Sequence, residues 1–220
     1  DAPLYCSRLT VGLIENKMQD ARTNYRPKYR EICPGDIIEA GAFSVEFIPV
    51  CHSIPDSLAL SIHTPMGMIV HTGDFKLDPT PIDGIGTDYS SFASLGKEGV
   101  LLMLSDSTNI EKEGITPSEK TVGQTFERLF RLYKDRRIVI ATFASNLHRA
   151  QQVFSAAGRF NRKVVLVGRS MINNVELAMD LGYIDVPEGL IISSQEADHM
   201  PENRLVVLTT GSQGEPFSGL

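Results

Sequence analysis

A histidine and an aspartate stand just past two predicted strands, and their side chains are of the types that bind metal ions. His52 follows a strand-like run that ends at Val50, and Asp74 lies in the segment HTGDF after another such run. Imidazole nitrogen and carboxylate oxygen are the donors that a zinc or manganese site uses. Taken singly, His52 is more typical of a structural histidine and Asp74 of a turn residue. Together they indicate a metal site at the ends of neighbouring strands.

Polar loops at three other predicted strand ends are suited to binding phosphate. They contain Ser145, Asn146, His148 and Arg149; Arg169 and Ser170; and Gly211, Ser212 and Gln213. Parallel sheets place ligands at the carboxyl ends of their strands, and helix N-termini attract anions through free N–H groups and the helix dipole. The alternative for the first loop is that Ser145 simply caps the helix that follows.

Positive charge is concentrated in one block of an otherwise acidic chain. The 220 residues carry a net charge of −6, but residues 126–169 hold ten Lys and Arg against two Asp and Glu. Such a block is the pattern expected for a polyanion partner, because neutralising phosphates releases counterions. The alternative is that side chains such as Arg128 and Arg131 merely solvate one helix face.

Composition excludes several classes of protein. Hydrophobic residues make up 42% and charged residues 22%, which is ordinary for a globular domain. No apolar run approaches the roughly 18 residues of a membrane span, and the N-terminal segment lacks the pattern of a signal peptide. Three cysteines without a CxxC pair argue against a disulfide framework and a cysteine zinc site, and are typical of reduced thiols in a cytoplasmic protein.

The chain changes character near residue 114, which predicts two domains, 1–113 and 114–220. Before that point, alternating runs predict strands, and a TPMG turn after Ser57–His63 predicts a hairpin. After it, helices alternate with apolar strands such as Leu190–Ser193, which predicts a parallel, doubly wound sheet. The capping box TPSE at 116–119 predicts the start of the first helix in this second domain.

Seven segments of the sequence together closely resemble the bacterial ribonuclease J family. They are HSIPDSLAL, HTGDFKLDPTPIDG, SDSTN, TPSE, ATFASNLHRAQQV, VGRSM and TTGSQGEP, and the resemblance extends over nearly the whole chain. Members of this family are metallo-β-lactamase-fold ribonucleases with an inserted β-CASP domain. The resemblance therefore implies an α/β fold: part of a metallo-β-lactamase αββα domain, followed by a β-CASP domain with a mainly parallel sheet flanked by helices.

The resemblance also implies an activity and its partners. Family members hydrolyse phosphodiester bonds with a metal-bound hydroxide, using two Zn²⁺ per active site, with Mn²⁺ or Mg²⁺ as alternatives. They degrade single-stranded RNA 5′ to 3′ from a 5′-monophosphate and also cut internally, in rRNA processing and mRNA decay. A cytoplasmic homo-oligomer, dimer or tetramer, without a membrane partner is implied for the whole enzyme.

Individual residues take roles within this resemblance. His52 matches the family's third metal motif, and Asp74 matches the fourth, whose aspartate bridges two metal ions. Asp106 in SDSTN matches the acidic residue of the first β-CASP motif, so Asp74 and Asp106 are the expected catalytic residues. The three polar loops are expected to contact RNA. His71 is not a family ligand and is expected to be a buried, hydrogen-bonded histidine.

The family's central HxHxDH motif is absent, because none of the five histidines has another two positions away. The resemblance places that motif before Asp1 and two later histidine motifs after Leu220, so we expect an internal piece of the enzyme. With His52 and Asp74 as its only ligands, this piece is expected to retain no metal and to be inactive, since zinc needs at least three protein ligands. Uncovered strand edges in its first half are expected to cause self-association.

Two other functions stay open. The chain as it stands also fits a non-catalytic RNA- or nucleotide-binding α/β module without a metal. A third hypothesis is a metallo-β-lactamase-fold hydrolase of a small ester. The segments TPSE, ASNLHR and GSQGEP disfavour that hypothesis, because such hydrolases lack the inserted domain.

Overall fold

The computed structural model describes residues 2–211, and the chain divides into two compact units between Ser118 and Glu119. Helices and strands occur in both units, and the second unit has a parallel sheet, so the α/β fold that the resemblance implies is confirmed. Among the described residues, no helix is both long enough and apolar enough to cross a membrane.

The first unit contains seven of the described strands and two helices. Its elements are β1 (Leu4–Cys6), α1 (Arg8–Asp20), β2 (Tyr29–Glu31), β3 (Ile37–Ala40), β4 (Phe43–Pro49), β5 (Leu58–Thr64), β6 (Gly67–His71), α2 (Tyr89–Glu98) and β7 (Val100–Leu104). The strands β1 and β2 form a small parallel pair, and the other five form one sheet in the order β3-β4-β5-β6-β7. The predicted hairpin is the β5–β6 pair, which closes at Thr64 and Gly67.

The strand directions in this sheet decide which loops can meet. β5 runs antiparallel to both β4 and β6, so β4 and β6 point the same way. β7 pairs parallel with β6. The carboxyl ends of β4, β6 and β7 therefore lie at one edge of the sheet, and the loops that follow them leave from that edge.

The core of the first unit lies between the sheet and α2. Met68 and Val70 alternate along β6, as expected for a strand with one buried face, and Leu95 of α2 packs in the same cluster. The remaining buried members are Ile48, Val50 and Ala59, with Phe75 and Phe92 packed against them. This packing fixes the ends of β4 and β6, from which the candidate site residues project.

The edge strand β7 is apolar but exposed. Its five residues, VLLML, are between 38% and 64% exposed. An edge strand that combines unpaired backbone groups with apolar side chains is a surface on which another chain can pair. Self-association through this edge stays a prediction.

The second unit is built on a three-stranded parallel sheet. Its elements are α3 (Glu119–Leu132), β8 (Ile138–Ala141), α4 (Leu147–Arg159), β9 (Lys163–Val167), α5 (Arg169–Asp180), α6 (Ser194–Ala197) and β10 (Leu205–Thr209), with a 3₁₀ turn at Glu202–Arg204. β10 lies between β8 and β9 and is parallel to both. The loops after all three strands therefore leave from the same edge.

One predicted strand of this unit is not a strand in the structure. Leu190–Ser193 forms only an isolated bridge, Val164 to Ile191, because Ser193 and Glu196 form a capping box that starts α6. The helix predicted to begin in the TPSE segment is present as α3, which begins at Glu119, the last residue of that segment. The Glu119 carboxylate is bound by Arg149.

The N-cap of α2 makes the stability of the first unit depend on pH. The Asp88 carboxylate accepts hydrogen bonds from the Ser91 hydroxyl (2.6 Å) and from the N–H groups of Ser90 and Ser91 (3.0 and 3.1 Å). These donors, the hydroxyl first, lower the pKa of Asp88 below its ordinary value of 3.8. A carboxyl with a lowered folded-state pKa stabilises the fold above its unfolded pKa, and that contribution disappears as pH falls through the folded value.

We therefore expect Asp88→Asn to flatten the loss of stability on acidification below about pH 4. Asparagine keeps the acceptor that caps the helix but does not titrate. Urea unfolding of both proteins at neutral pH and at a series of acidic pH values measures the difference. If both proteins lose unfolding free energy equally steeply below pH 4, Asp88 is not the source of the effect.

Candidate functional site

His52 lies in the loop that follows β4. The backbone N–H of Val50 bonds to the Ser57 carbonyl (3.0 Å), which holds the two ends of this loop together. The imidazole is 30% exposed and lines an open pocket with Cys51, Asp56 and their neighbours. The side chain is thus accessible, while its backbone is anchored.

Asp74 lies three residues past the end of β6, beyond a tight turn. The turn depends on Gly73, which has a φ of +60°, and a Cβ there would lie 2.7 Å from the Leu58 carbonyl oxygen. The Gly73 N–H donates to Nδ1 of His71 (3.0 Å). His71 is hydrogen-bonded as expected, but it is exposed rather than buried, because it is the last residue of β6 at the sheet edge.

His52 and Asp74 come together as the sequence predicts. Nε2 of His52 lies 3.9 Å from Oδ2 of Asp74, and the aspartate side chain is 80% exposed. The two residues are 22 positions apart in the sequence, so their proximity results from the parallel directions of β4 and β6. The pair combines an imidazole nitrogen with a carboxylate.

Asp106 joins this pair from the loop after β7. Its Oδ1 accepts a hydrogen bond from the Thr108 N–H (2.9 Å). The Thr108 amide and hydroxyl are the main causes that lower the pKa of Asp106, with smaller contributions from the Phe75 amide and from His52. Asp106 is therefore an ionised carboxylate at neutral pH, and its negative charge acts on His52.

The donor chemistry of these residues suits zinc or manganese, but the described residues do not fit a complete metal site. Within residues 2–211, no group of three or more His, Cys, Asp or Glu side chains is arranged to hold a metal ion. Structural and catalytic zinc sites use at least three protein ligands. Among the described residues, the sheet edge at the ends of β4 and β6 therefore holds only two candidate metal ligands, His52 and Asp74.

Sequence reasoning missed several residues that hold these loops. Lys76 pairs with the nearly enclosed carboxylate of Asp78 (3.4 Å), whose other oxygen accepts the Thr80 N–H (3.0 Å). Thr72 and Thr87 are buried threonines that contact the backbone of the same loops. The many polar residues of HTGDFKLDPT could have indicated that residues 72–80 form hydrogen bonds within these loops. Thr87 lies outside every motif, so no sequence pattern pointed to it.

The three polar loops of the second unit lie at one sheet edge. The Thr142 N–H after β8 donates to the Thr209 carbonyl of β10 (3.0 Å), and Nδ2 of Asn174 on α5 donates to the Ala144 carbonyl (3.1 Å). Gly168, with a φ of +100°, approaches Thr210 so closely that a Cβ would lie 3.0 Å from the threonine hydroxyl. The loops after β8, β9 and β10 are thus held against one another.

The predicted RNA contacts in the first of these loops are in different environments. Ser145 is exposed, but Asn146 rather than Ser145 caps α4, since its Oδ1 accepts the Arg149 N–H (3.0 Å). His148 is only 5% exposed. Of these side chains, Ser145 is therefore the one presented to solvent, and the predicted RNA contact of His148 would need its buried ring to move.

Arg149 is engaged within the protein. Its guanidinium makes a bidentate ion pair with Glu119 at the start of α3, with Nη2 2.9 Å from Oε1 and Nε 3.1 Å from Oε2. The arginine side chain is 27% exposed and the glutamate 15%. The pair joins the N-terminal ends of α3 and α4. A contact between Arg149 and RNA stays a prediction, and it would compete with this ion pair.

The predicted RNA contacts in the other two loops differ in exposure. Arg169 and Ser170 are exposed and form the first turn of α5, whose N-cap, Gly168, provides no side-chain hydrogen bond. Gly211 is buried at the end of the described residues. The predicted contacts Ser212 and Gln213 lie outside the described residues.

Much of the basic block serves the fold of the second unit. Arg162 is buried and donates to the carbonyls of Tyr133 and Arg136, just past the end of α3 (2.8 and 2.7 Å), and burial lowers its pKa. Further basic side chains pair with acidic ones: Arg131 and Arg159 with Glu127, and Arg137 with Glu202. The charge of the block is thus partly neutralised, by Glu127 within it and by Glu202 outside it.

Comparison with known proteins defines the class of the second unit. Residues 135–220 match the family described as "Ribonuclease J, beta-CASP domain". Combined with the mixed α/β fold, this match supports a β-CASP domain of the metallo-β-lactamase family in the second unit. A crystal structure of a protein of unknown function from Enterococcus faecalis V583 shares the fold, with a TM-score of 0.68 at 19% identity over 94% of this chain and 53% of that one.

Over its full length, the chain is similar to ribonuclease J. It is 43% identical over 222 residues to ribonuclease J of Helicobacter pylori, covering 99% of this chain and 32% of that protein. It is 46% identical to ribonuclease J of Corynebacterium glutamicum and 42% identical to that of Thermus thermophilus, covering 30% and 38% of them. The chain spans about a third of the length of these relatives. The resemblance to the ribonuclease J family is therefore confirmed.

We expect Arg149→Ala to lower the free energy of unfolding by about 1–3 kcal/mol, because it leaves the half-buried Glu119 carboxylate without its ion-pair partner. Arg169→Ala is the matched control, since that side chain is exposed, and should change stability by less than about 0.5 kcal/mol. Urea unfolding measures both. If Arg149→Ala leaves stability unchanged but lowers the salt dependence of RNA binding by about one unit of slope, Arg149 is an RNA contact rather than a helix clamp.

Proposed function

We propose that this chain is part of a metal-dependent ribonuclease that hydrolyses phosphodiester bonds in single-stranded RNA. The proposed activity is 5′-to-3′ exonucleolytic from a 5′-monophosphate, with additional internal cleavage, in rRNA processing and mRNA decay in the cytoplasm. The observation that carries the proposal is the meeting of His52, Asp74 and Asp106 at one sheet edge. It is supported by the similarity of the whole chain to ribonuclease J.

The proposed cofactors are two Zn²⁺ ions, with Mn²⁺ or Mg²⁺ as alternatives. Bound metal would supply Lewis acidity at the scissile phosphate. His52 and Asp74 are the ligands that we assign to this chain, and the remaining ligands come from beyond the described residues. In this proposal the 220-residue chain alone is inactive and retains no metal.

Asp106 has a distinct proposed role. Because hydrogen bonds from Thr108 keep its carboxylate ionised, it cannot serve as a general acid near neutral pH. It instead provides a fixed negative charge beside His52. This role requires the charge of Asp106 rather than its proton.

The proposed RNA path runs over the polar loops of the second unit. The exposed residues Ser145, Arg169 and Ser170 present hydroxyl and guanidinium donors at the carboxyl edge of a parallel sheet. The first turn of α5 adds backbone N–H groups and the positive end of a helix dipole. Single-stranded RNA bearing a 5′-monophosphate has the negative charge that such donors bind.

Assembly of the whole enzyme as a dimer or tetramer is also part of the proposal.

A second function is favoured by one observation. The described residues lack a group of three metal-binding side chains. A chain that binds RNA through the second unit without hydrolysing it would be consistent with this. The experiment below separates the two functions.

We expect Asp74→Asn to abolish RNA cleavage and to leave RNA binding largely intact, in the protein extended to the length of its relatives. An amide would remove the negative charge that the Asp74 carboxylate would provide to bound metal. The Asp74 side chain is 80% exposed, so the fold should be unaffected. Cleavage of 5′-monophosphorylated RNA and filter binding of the same RNA measure the two effects.

Asp20→Asn, an exposed aspartate at the end of α1, is the matched control and should retain full activity. The outcome against the proposal is substantial cleavage by Asp74→Asn with a normal metal content. RNA binding without any cleavage by the unmodified extended protein would favour the non-catalytic module. Stoichiometric metal and cleavage in the 220-residue chain alone would show that its ligand set is complete.

A further inference from the structure

Thr87 joins the loop of His52 to the residues around Asp74, although it lies 13 positions after Asp74, at the far end of the segment that connects β6 to α2. This buried threonine stands directly before the N-cap of α2. Its hydroxyl oxygen accepts a hydrogen bond from the N–H of Cys51 (3.0 Å) and donates to the carbonyl of Lys76 (3.3 Å). Cys51 directly precedes His52, and Lys76 is two residues past Asp74. The Lys76 N–H also donates to the Cys51 carbonyl (2.8 Å), so three hydrogen bonds tie the two loops together.

Thr72 makes the corresponding connection between the loops of Asp74 and Asp106. It is 2% exposed, and its hydroxyl accepts the backbone N–H of Asp106 (3.0 Å) and donates to the carbonyl of Gly73 (2.8 Å). Gly73 directly precedes Asp74. The Thr72 N–H also donates to the Leu104 carbonyl at the end of β7 (3.0 Å).

Each hydroxyl is used once as an acceptor and once as a donor, which no isosteric apolar side chain can reproduce. Valine has the shape of threonine but would leave a buried N–H and a buried carbonyl without these partners. The Asp74 loop cannot shift toward β5 to compensate for the loss of these hydrogen bonds. Gly73 already lies against the Leu58 carbonyl, with no room for a Cβ. The two hydroxyls therefore act together with the backbone hydrogen bonds of Lys76 and Thr72 in setting the lateral position of this loop.

We propose that Thr72 and Thr87 are positioning residues whose hydroxyl groups set the mutual placement of His52, Asp74 and Asp106. The inference rests on the proposed ribonuclease function, and it adds two residues that touch neither substrate nor metal in that function. Each threonine acts through the backbone: Thr87 on the residue before His52, and Thr72 on Asp106 itself and on the residue before Asp74.

The test compares Thr→Val with Thr→Ser at both positions in the protein extended to the length of its relatives, acting on 5′-monophosphorylated RNA. Misplacement of reacting groups by a fraction of an ångström to one ångström lowers kcat, so both valine variants should lose about 10- to 100-fold in kcat. KM should stay within about twofold, since the proposed RNA path lies in the second unit. The serine variants keep the hydroxyl and should retain kcat within about threefold.

A second readout uses the 220-residue chain and needs no activity. The ring resonances of His52 should shift in Thr87→Val, and the backbone amide resonance of Asp106 should shift in Thr72→Val, and both should return in the serine variants. Serine variants as impaired as the valine variants would overturn the proposal, as would valine variants with unchanged kcat and unchanged resonances. If the extended protein cleaves no RNA, the proposed function fails, and the resonances alone decide whether the hydroxyls position the loops.

Discussion

The direction of β5 is the constraint on which the candidate site depends. Because β5 runs antiparallel to both neighbours, β4 and β6 end at the same edge, and β7 ends there too since it is parallel to β6. A histidine and two aspartates that are far apart in sequence are thereby brought into one small region. The hydrogen bonds of Thr72 and Thr87 then connect their loops, so that strand direction provides the approximate placement and the hydroxyls provide the fine placement.

Much of this fold could be predicted from the sequence. The alternation of buried residues along β6 and the turn at Thr64 to Gly67 are local patterns, and local patterns determine strands and hairpins well. The proximity of His52 and Asp74 could be predicted because both follow strands and because the motifs resemble a known family. The helix predicted from TPSE begins at Glu119, within that segment, whereas the strand predicted at Leu190–Ser193 was wrong, because a capping box uses Ser193 to start α6.

The basic block shows why charge alone was an ambiguous guide. Arg149 and Arg162 belong to a block that reads as an RNA-binding track, yet one clamps Glu119 and the other binds carbonyl groups past the end of α3. These partners lie far along the chain or are backbone atoms, so no spacing in the sequence reveals them. Exposure separates the roles better than charge does: Arg169 is exposed at a helix N-terminus, whereas Arg162 is buried beneath α3.

The claim that the three site loops form one linked unit is tested most directly by native-state hydrogen exchange on the 220-residue chain. The backbone amides of Cys51, Lys76 and Asp106 are the donors that connect these loops. If the loops are linked, these three amides should be protected and should exchange through one common opening, with the same free energy and the same dependence on urea. Exchange of the three amides at unrelated rates, or at the rates of unprotected loop amides, would contradict the account.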